Sequence, residues 1–383
     1  MLGGLVVAAG SVALPAWGAG LAPRAVGIAD FVFGVGADDG ALLAMNGWTG
    51  AVEHRMASPI DIVSFFANRS ADRIIGVDTG TGRLAIFQNP GNEGFVRDPI
   101  IHEAVAAPDL FTFAPDGRHA VYADFGAGQL TLLDLHTGDA VRSFTGFNGV
   151  HDIRFSALTG LLTATSLDSA AVRLLDTEDG ETSTLVTIPD PQGRGIDHMS
   201  QTLSGRTGII IQPGISEIFF VNVGERGGEL ARSIRLDSPP LRAFISADNR
   251  YALLPSTQTP TVDVIDLLNL QHVKTLETPG LITTIQTDPI STHMVGIAPD
   301  PGSVVTFDSR TSTIVSVTPT DGQADMLALN EESGLAFILG NGGDRSPLVA
   351  PVRTPASAPR WASAMIEQPM WTLTSTNALA VCH

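Results

Sequence analysis

Cysteine occurs once in this chain of 383 residues, at Cys382, beside the terminal His383. An internal disulfide is therefore impossible, interior thiol chemistry is excluded, and so is c-type haem attachment, which needs Cys-x-x-Cys-His. Lysine is equally scarce: Lys274 stands alone and every other basic residue is an arginine. Only 22 basic residues face 40 acidic ones, a net charge of -18, so the basic stripe that a nucleic-acid partner requires is missing. No Gly-x-Ser-x-Gly elbow and no His-Glu-x-x-His motif occurs. Beyond the N-terminal run no apolar stretch reaches about 18 residues, so no membrane span is expected once a leader is removed.

What is present begins with that run, LGGLVVAAGSVALPAWGAG. Its apolar core and small-residue end are those of a bacterial secretory signal without the basic start. Residues 1–27 are read as a leader and the periplasm as the destination.

From there the chain repeats. Short apolar strands alternate with turn residues, most clearly in APDLFTFAPDGRHAVYADFGAGQLTLLDLHTGDAVRSF, residues 107–144. One turn marker falls at Asp72, Gly117, Gly160, Gly205, Asn249, Ser291 and Gly334, in steps of 45, 43, 45, 44, 42 and 43 residues. A second falls at Asn46, Gln88, Asp134, Asp176, Asn222, Asp266 and Asp308, in steps of 42, 46, 42, 46, 44 and 42. Four short strands at a period of roughly 40–50 residues form the blade of a β-propeller. The expected fold is all-β, a seven-bladed propeller of four-stranded antiparallel blades over residues 28–343, with residues 344–383 as a tail packed on the ring. The offset of the two markers predicts how it closes: the hairpin Ala41 to Met56 completes the sheet begun by Met326 to Leu339. Apolar stretches at Phe31 to Val35, Pro347 to Val352 and Met370 to Thr374 leave eight blades as the alternative.

In such a fold the residues just before or at each blade's first strand share one face and surround the central channel. That position holds Asp109, His151, Asp152, Asp197, His198, Arg242 and Asp325, with Arg194 in a preceding loop. His151-Asp152 and Asp197-His198 occupy nearly equivalent places in neighbouring blades. His151 and His198 are the metal-ligand candidates, for a divalent ion such as zinc. Asp109, Asp152, Arg194, Asp197, Arg242 and Asp325 are the ligand-binding candidates, the arginines for an anionic group. The plainer alternative is structural: an Asp at such a place satisfies loop backbone, and an Arg neutralises a nearby Asp.

The residues Pro115-Asp116-Gly117-Arg118 and Asp134-Leu135-His136-Thr137-Gly138, with looser copies at Ser246 to Asn249 and Asp176 to Gly180, resemble the bacterial YVTN-type propeller repeat. The resemblance spans about residues 38–340. It implies the propeller fold and a range of functions, from surface and periplasmic binding proteins to lactonases and subunits of amine dehydrogenases. Three functions follow as expectations. The first is a periplasmic binding protein for a small ligand, a metal or a protein partner. The second is a metal-assisted hydrolase or lactonase in which His151 and His198 hold the ion and Asp152 or Asp197 activates water. The third is a non-catalytic subunit of a periplasmic dehydrogenase-like complex.

Overall fold

A computed structural model describes residues 5–7, 31–36, 41–46, 52–62, 64–67, 73–78, 80–88, 98–104, 108, 110–124, 127–156, 158–225, 227–287, 293–320, 323–330, 335–341, 348–353, 371–372 and 376–378. Among these every regular element is a β-strand, and no helix is long and apolar enough to cross a membrane. The strands form seven four-stranded antiparallel sheets, the layout of a seven-bladed β-propeller, and one further five-stranded sheet near the N-terminus.

The chain divides into two compact units. The second, Ala104–Thr283 with Thr311–Thr313, holds four of the four-stranded sheets, over residues 110–145, 150–187, 198–235 and 244–277. The first holds the remaining sheets, including the five-stranded one built from Leu5–Val7, Phe31–Gly36, Leu42–Asn46, Val52–Met56 and Thr376–Ala378.

Turn chemistry sets each sheet. Asp116 Oδ1 accepts the backbone N–H groups of Arg118 and His119 at 2.8 and 3.0 Å, and Gly117 takes a φ of 68° that a side chain would oppose. At the second marker, Asp134, Asp176, Asp266 and Asp308 each accept the N–H two residues on, at 2.7, 2.9, 2.8 and 2.8 Å. The middle strands are buried on both faces, as in Tyr251–Pro255 and Thr207–Ile211, whereas the fourth strands Ala140–Thr145, Gly228–Arg235 and Gln271–Glu277 are largely exposed. Such burial fits sheets stacked face to face, and cores join neighbours. Val150, Ile153, Leu162 and Ala164 pack with Val121, Leu130 and Leu132 of the preceding sheet, while Val172 and Leu174 pack with Met199, Ile210 and Phe219 of the following one. Each fully buried aliphatic or Phe side chain contributes about 1.5–3 kcal/mol. First strands of consecutive sheets lie side by side: Leu110–Phe113 by Val150–Phe155, the latter by His198–Gln201, and that by Phe244–Ile245.

The ends depart from the expected closure. The hairpin Leu42–Asn46 and Val52–Met56 pairs with Phe31–Gly36, with Met45 opposite Val32, and not with Met326 to Leu339. Leu335–Asn341 pairs with Gln323–Asn330 and with Leu348–Arg353, so that sheet is completed from the tail. A partner a few residues away costs less loop-closure entropy than one at the far end of the chain, and FVFGVG and LVAPVR supply such partners locally. Of the expected leader, only Leu5–Val7 is described; it pairs with Phe31–Gly36.

Candidate functional site at the first-strand ends of three sheets

Three consecutive first strands of the second unit deliver the site. Val150–Phe155 carries His151, Asp152 and Arg154; the start of His198–Gln201 carries Asp197 and His198; the segment leading into Phe244–Ile245 carries Arg242.

A bulge aims the first group. Val150 pairs with Ser166 but Asp152 with Thr165, so His151 is an extra residue in the ladder. Regular alternation would put His151 and Asp152 on opposite faces. With the bulge, Val150, Ile153 and Phe155 all reach the core shared with the preceding sheet, and His151, Asp152 and Arg154 all face the other way, towards Asp197 and His198.

The second group is held by backbone. Ile196 N donates to Ser166 O at 2.8 Å, and Thr165 Oγ1 donates to Asp197 O at 3.0 Å, docking the Asp197 loop on the preceding sheet. Gly195 permits this approach: its φ is 66°, and a Cβ there would lie 2.3 Å from Leu167 O. Asp190 fixes the loop from the other side by accepting the N–H groups of Arg194 and Gly195 at 2.9 and 2.8 Å.

The side chains then converge. His151 Nδ1 lies 2.6 Å from Asp197 Oδ1, and His198 Nε2 lies 3.5 Å from the same oxygen. His198 Nδ1 is 3.7 Å from Asp152 Oδ2, and the two imidazole centroids are 5.4 Å apart. Arg242 donates from one terminal nitrogen to His198, 2.8 Å from Nδ1 and 3.3 Å from Nε2, so it lies across the ring edge between them. Arg154 Nε sits 3.1 and 3.3 Å from the two Asp152 oxygens. One atom is left over. Asp197 Oδ1 is buried and takes no well-directed hydrogen bond; His151 Nδ1 stands 2.6 Å from it but its hydrogen bond runs to the Asp197 backbone carbonyl, 3.4 Å away.

Electrostatics follow from this crowding. Burial acts to push the Asp152 carboxyl up, but Arg154, His198 and Arg242 outweigh it and hold Asp152 far below the usual carboxylate range. Burial opposes ionisation of Asp197 too, and His151, His198 and Arg242 bring it below its ordinary value. The Asp197 carboxylate raises His151 against the opposing effect of burial. Burial and the neighbouring Arg154 bring Arg242 down to about 10, despite Asp152 and Asp197.

Of the sequence candidates, His151, Asp152, Asp197, His198 and Arg242 come together. Arg194 is directed elsewhere, its Nε to Gln192 Oε1 at 3.0 Å and a terminal nitrogen to Pro213 O at 3.4 Å. Asp109 and the Asp325 side chain lie outside the described residues, as do Cys382 and His383. Arg154 is the member that the sequence reading lacks, although it stands two residues beyond Asp152 on a strand, where alternation returns to the same face.

Chemically, His151, Asp197 and His198 offer two imidazole nitrogens and a carboxylate oxygen, all within 4.8 Å of one another. That donor set suits a zinc-class divalent ion, and the buried Asp197 oxygen, which takes no aligned hydrogen bond, has capacity left for a cation.

No family model matches the chain, and no curated protein matches it either. Solved structures do. The chain is similar to the dihydro-heme d1 dehydrogenase NirN in complex with DHE, with a TM-score of 0.72 at 14% identity over 98% of this chain and 79% of that one. It is also similar to Kuenenia stuttgartiensis hydrazine synthase, with a TM-score of 0.57 at 12% identity over 77% of this chain and 96% of that one. The β-propeller domain of Myceliophteria thermophila Cps50 (Swd1) matches with a TM-score of 0.53 at 14% identity, over 70% of this chain and 90% of that one. At these identities the likeness establishes the propeller fold alone.

Proposed function

We propose that this chain is a periplasmic β-propeller binding protein, and that His151, Asp197 and His198 hold the metal of a metal-bearing small ligand. The observation that carries the reading is the Asp197 oxygen, buried between two imidazoles without a well-directed donor. Two ligands would bring such a metal: a divalent ion by itself, or a tetrapyrrole whose iron an imidazole ligates. The likeness to NirN, over 98% of this chain, favours a tetrapyrrole of the dihydro-haem d1 kind. When bound, the metal supplies a Lewis-acid centre that fixes the ligand against the sheet ends. The protein's part is orientation: the bulge aims His151, the docked loop aims His198, and Arg242 braces the His198 ring. The YVTN-like repeat and the apolar leader support export.

Metal-assisted hydrolysis is the weaker reading of the same residues. It needs Asp152 or Asp197 as a base; Asp152 is held far below the ordinary carboxylate range and Asp197 below its ordinary value, so both accept protons poorly near neutral pH.

The test uses the untagged protein from the periplasm, assayed for metal and then titrated separately with zinc and with ferric haem, the latter by visible absorbance. One equivalent bound by the wild type, and weakened at least about 100-fold in the His151→Ala/His198→Ala pair, supports the reading; equal binding by the pair, or none by the wild type, overturns it. Zinc without haem assigns the ion alone, and haem assigns the tetrapyrrole.

A further inference from the structure

We infer that Arg154 is the anion-receiving arm of this site, and therefore that the ligand carries a carboxylate beside its metal. The inference rests on the binding reading above and names the chemistry of its ligand.

Arginine chemistry around the site sorts into three cases. Arg194 points at Gln192 and the Pro213 carbonyl. Arg242 is buried, 9% exposed, and applied to the edge of His198. Arg154 differs from both. Only its Nε is engaged, by the two oxygens of Asp152; among the described residues its terminal amino groups meet no acceptor. Its side chain remains 31% exposed, so solvent and solutes reach it, while the Asp152 that anchors it is only 9% exposed. A guanidinium gripped at Nε by a buried carboxylate is oriented before any ligand arrives. The terminal pair it presents is the fork that matches a carboxylate.

Position and charge agree. Asp152 Oδ2 touches Arg154 Nε at 3.1 Å and His198 Nδ1 at 3.7 Å, so the arm stands one carboxylate away from a metal-ligand candidate. The local groups are two guanidiniums and two carboxylates, and Asp152 is already shared among Arg154, His198 and Arg242. An incoming carboxylate thus meets a neutral-to-positive spot on a chain whose net charge is -18. Elsewhere that net charge repels acidic solutes, and here the arm makes one admissible.

The probes are ferric protoporphyrin, which carries two carboxylates, and its dimethyl ester, which carries none, each titrated against wild type, Arg154→Gln, Arg154→Lys and the His151→Ala/His198→Ala pair, with zinc as a third probe. Loss of a charged hydrogen bond predicts that Arg154→Gln weakens the free acid about 10- to 100-fold, weakens it more than it weakens the ester or zinc, and regains part of that preference in Arg154→Lys. Equal binding of the free acid by wild type and Arg154→Gln overturns the inference. So does a parallel loss of acid and ester, and so does a wild type that binds neither porphyrin. If the acid-over-ester preference persists in the histidine pair while zinc binding and affinity for both porphyrins are untouched, the arm stands and the metal reading fails.

Discussion

Two His–Asp contacts in this molecule have the same chemistry and opposite consequences. His119 Nδ1 meets Asp116 Oδ2 at 2.5 Å, three residues apart in one turn, and the other Asp116 oxygen already accepts two backbone N–H groups. His151 Nδ1 meets Asp197 Oδ1 at 2.6 Å, across 46 residues and two sheets, and that oxygen finds no aligned donor. The local pair is complete and explains a turn. The distant pair is incomplete and leaves something to be supplied. Short contact distance does not distinguish the two pairs; what does is whether the acceptor's remaining capacity is used.

Substitutions sharpen that contrast. The largest effect is expected at Asp152, whose removal leaves Arg154 and Arg242 without their buried counter-charge. Asp152→Ala should lower stability by about 3–5 kcal/mol, whereas Asp116→Ala, half exposed, should cost at most about 1 kcal/mol; urea unfolding of the two variants measures both, and similar losses would erase the distinction.

Next comes Gly195. Alanine at a φ of 66°, with its Cβ against Leu167 O, should cost about 1–3 kcal/mol and move the Asp197 loop off the preceding sheet. Ferric haem or zinc titration should show weaker binding in Gly195→Ala, while Gly117→Ala, where a Cβ meets nothing within 4 Å, should leave binding unchanged.

The smallest effect is the pH dependence of His151. Its folded pKa is raised above 6.5, so its contribution is fully present below that value and declines as pH rises through the folded one. Since its side chain is 39% exposed, solvent screens that contribution to under about 1 kcal/mol. Thermal melts between pH 6 and 9 should show a shallow decline that His151→Ala flattens; an equally steep decline in the variant would assign it to another group. Asp152 and Asp197 act in the opposite sense: with folded values below 3.8, their contribution holds above that pH and fades on further acidification.

Much of this was readable from residue order, and the reason is locality. A turn is decided within five residues, so Asp134, Asp176, Asp266 and Asp308 announce the strand ends that the structure gives them. The period then brings His151 near Asp197 and His198 near Arg242, one repeat apart. What sequence order hides is register. The extra residue at His151 is visible only as Val150 and Asp152 pairing with adjacent residues Ser166 and Thr165, and without it Arg154 has no stated direction. Closure failed for a related reason: repeat counting treats the two ends as each other's complement, while Phe31–Gly36 and Leu348–Arg353 offer nearer strands.

The extra residue in the Val150–Phe155 ladder also bears on how such a site arises. Because one position is added and none is replaced, Val150 and Ile153 keep their places in the core on either side of it. Deleting His151 would return the strand to even pairing with its packing intact. A propeller of this kind can therefore acquire or shed a donor atom by a single-codon insertion or deletion, leaving the rest of the blade as it was.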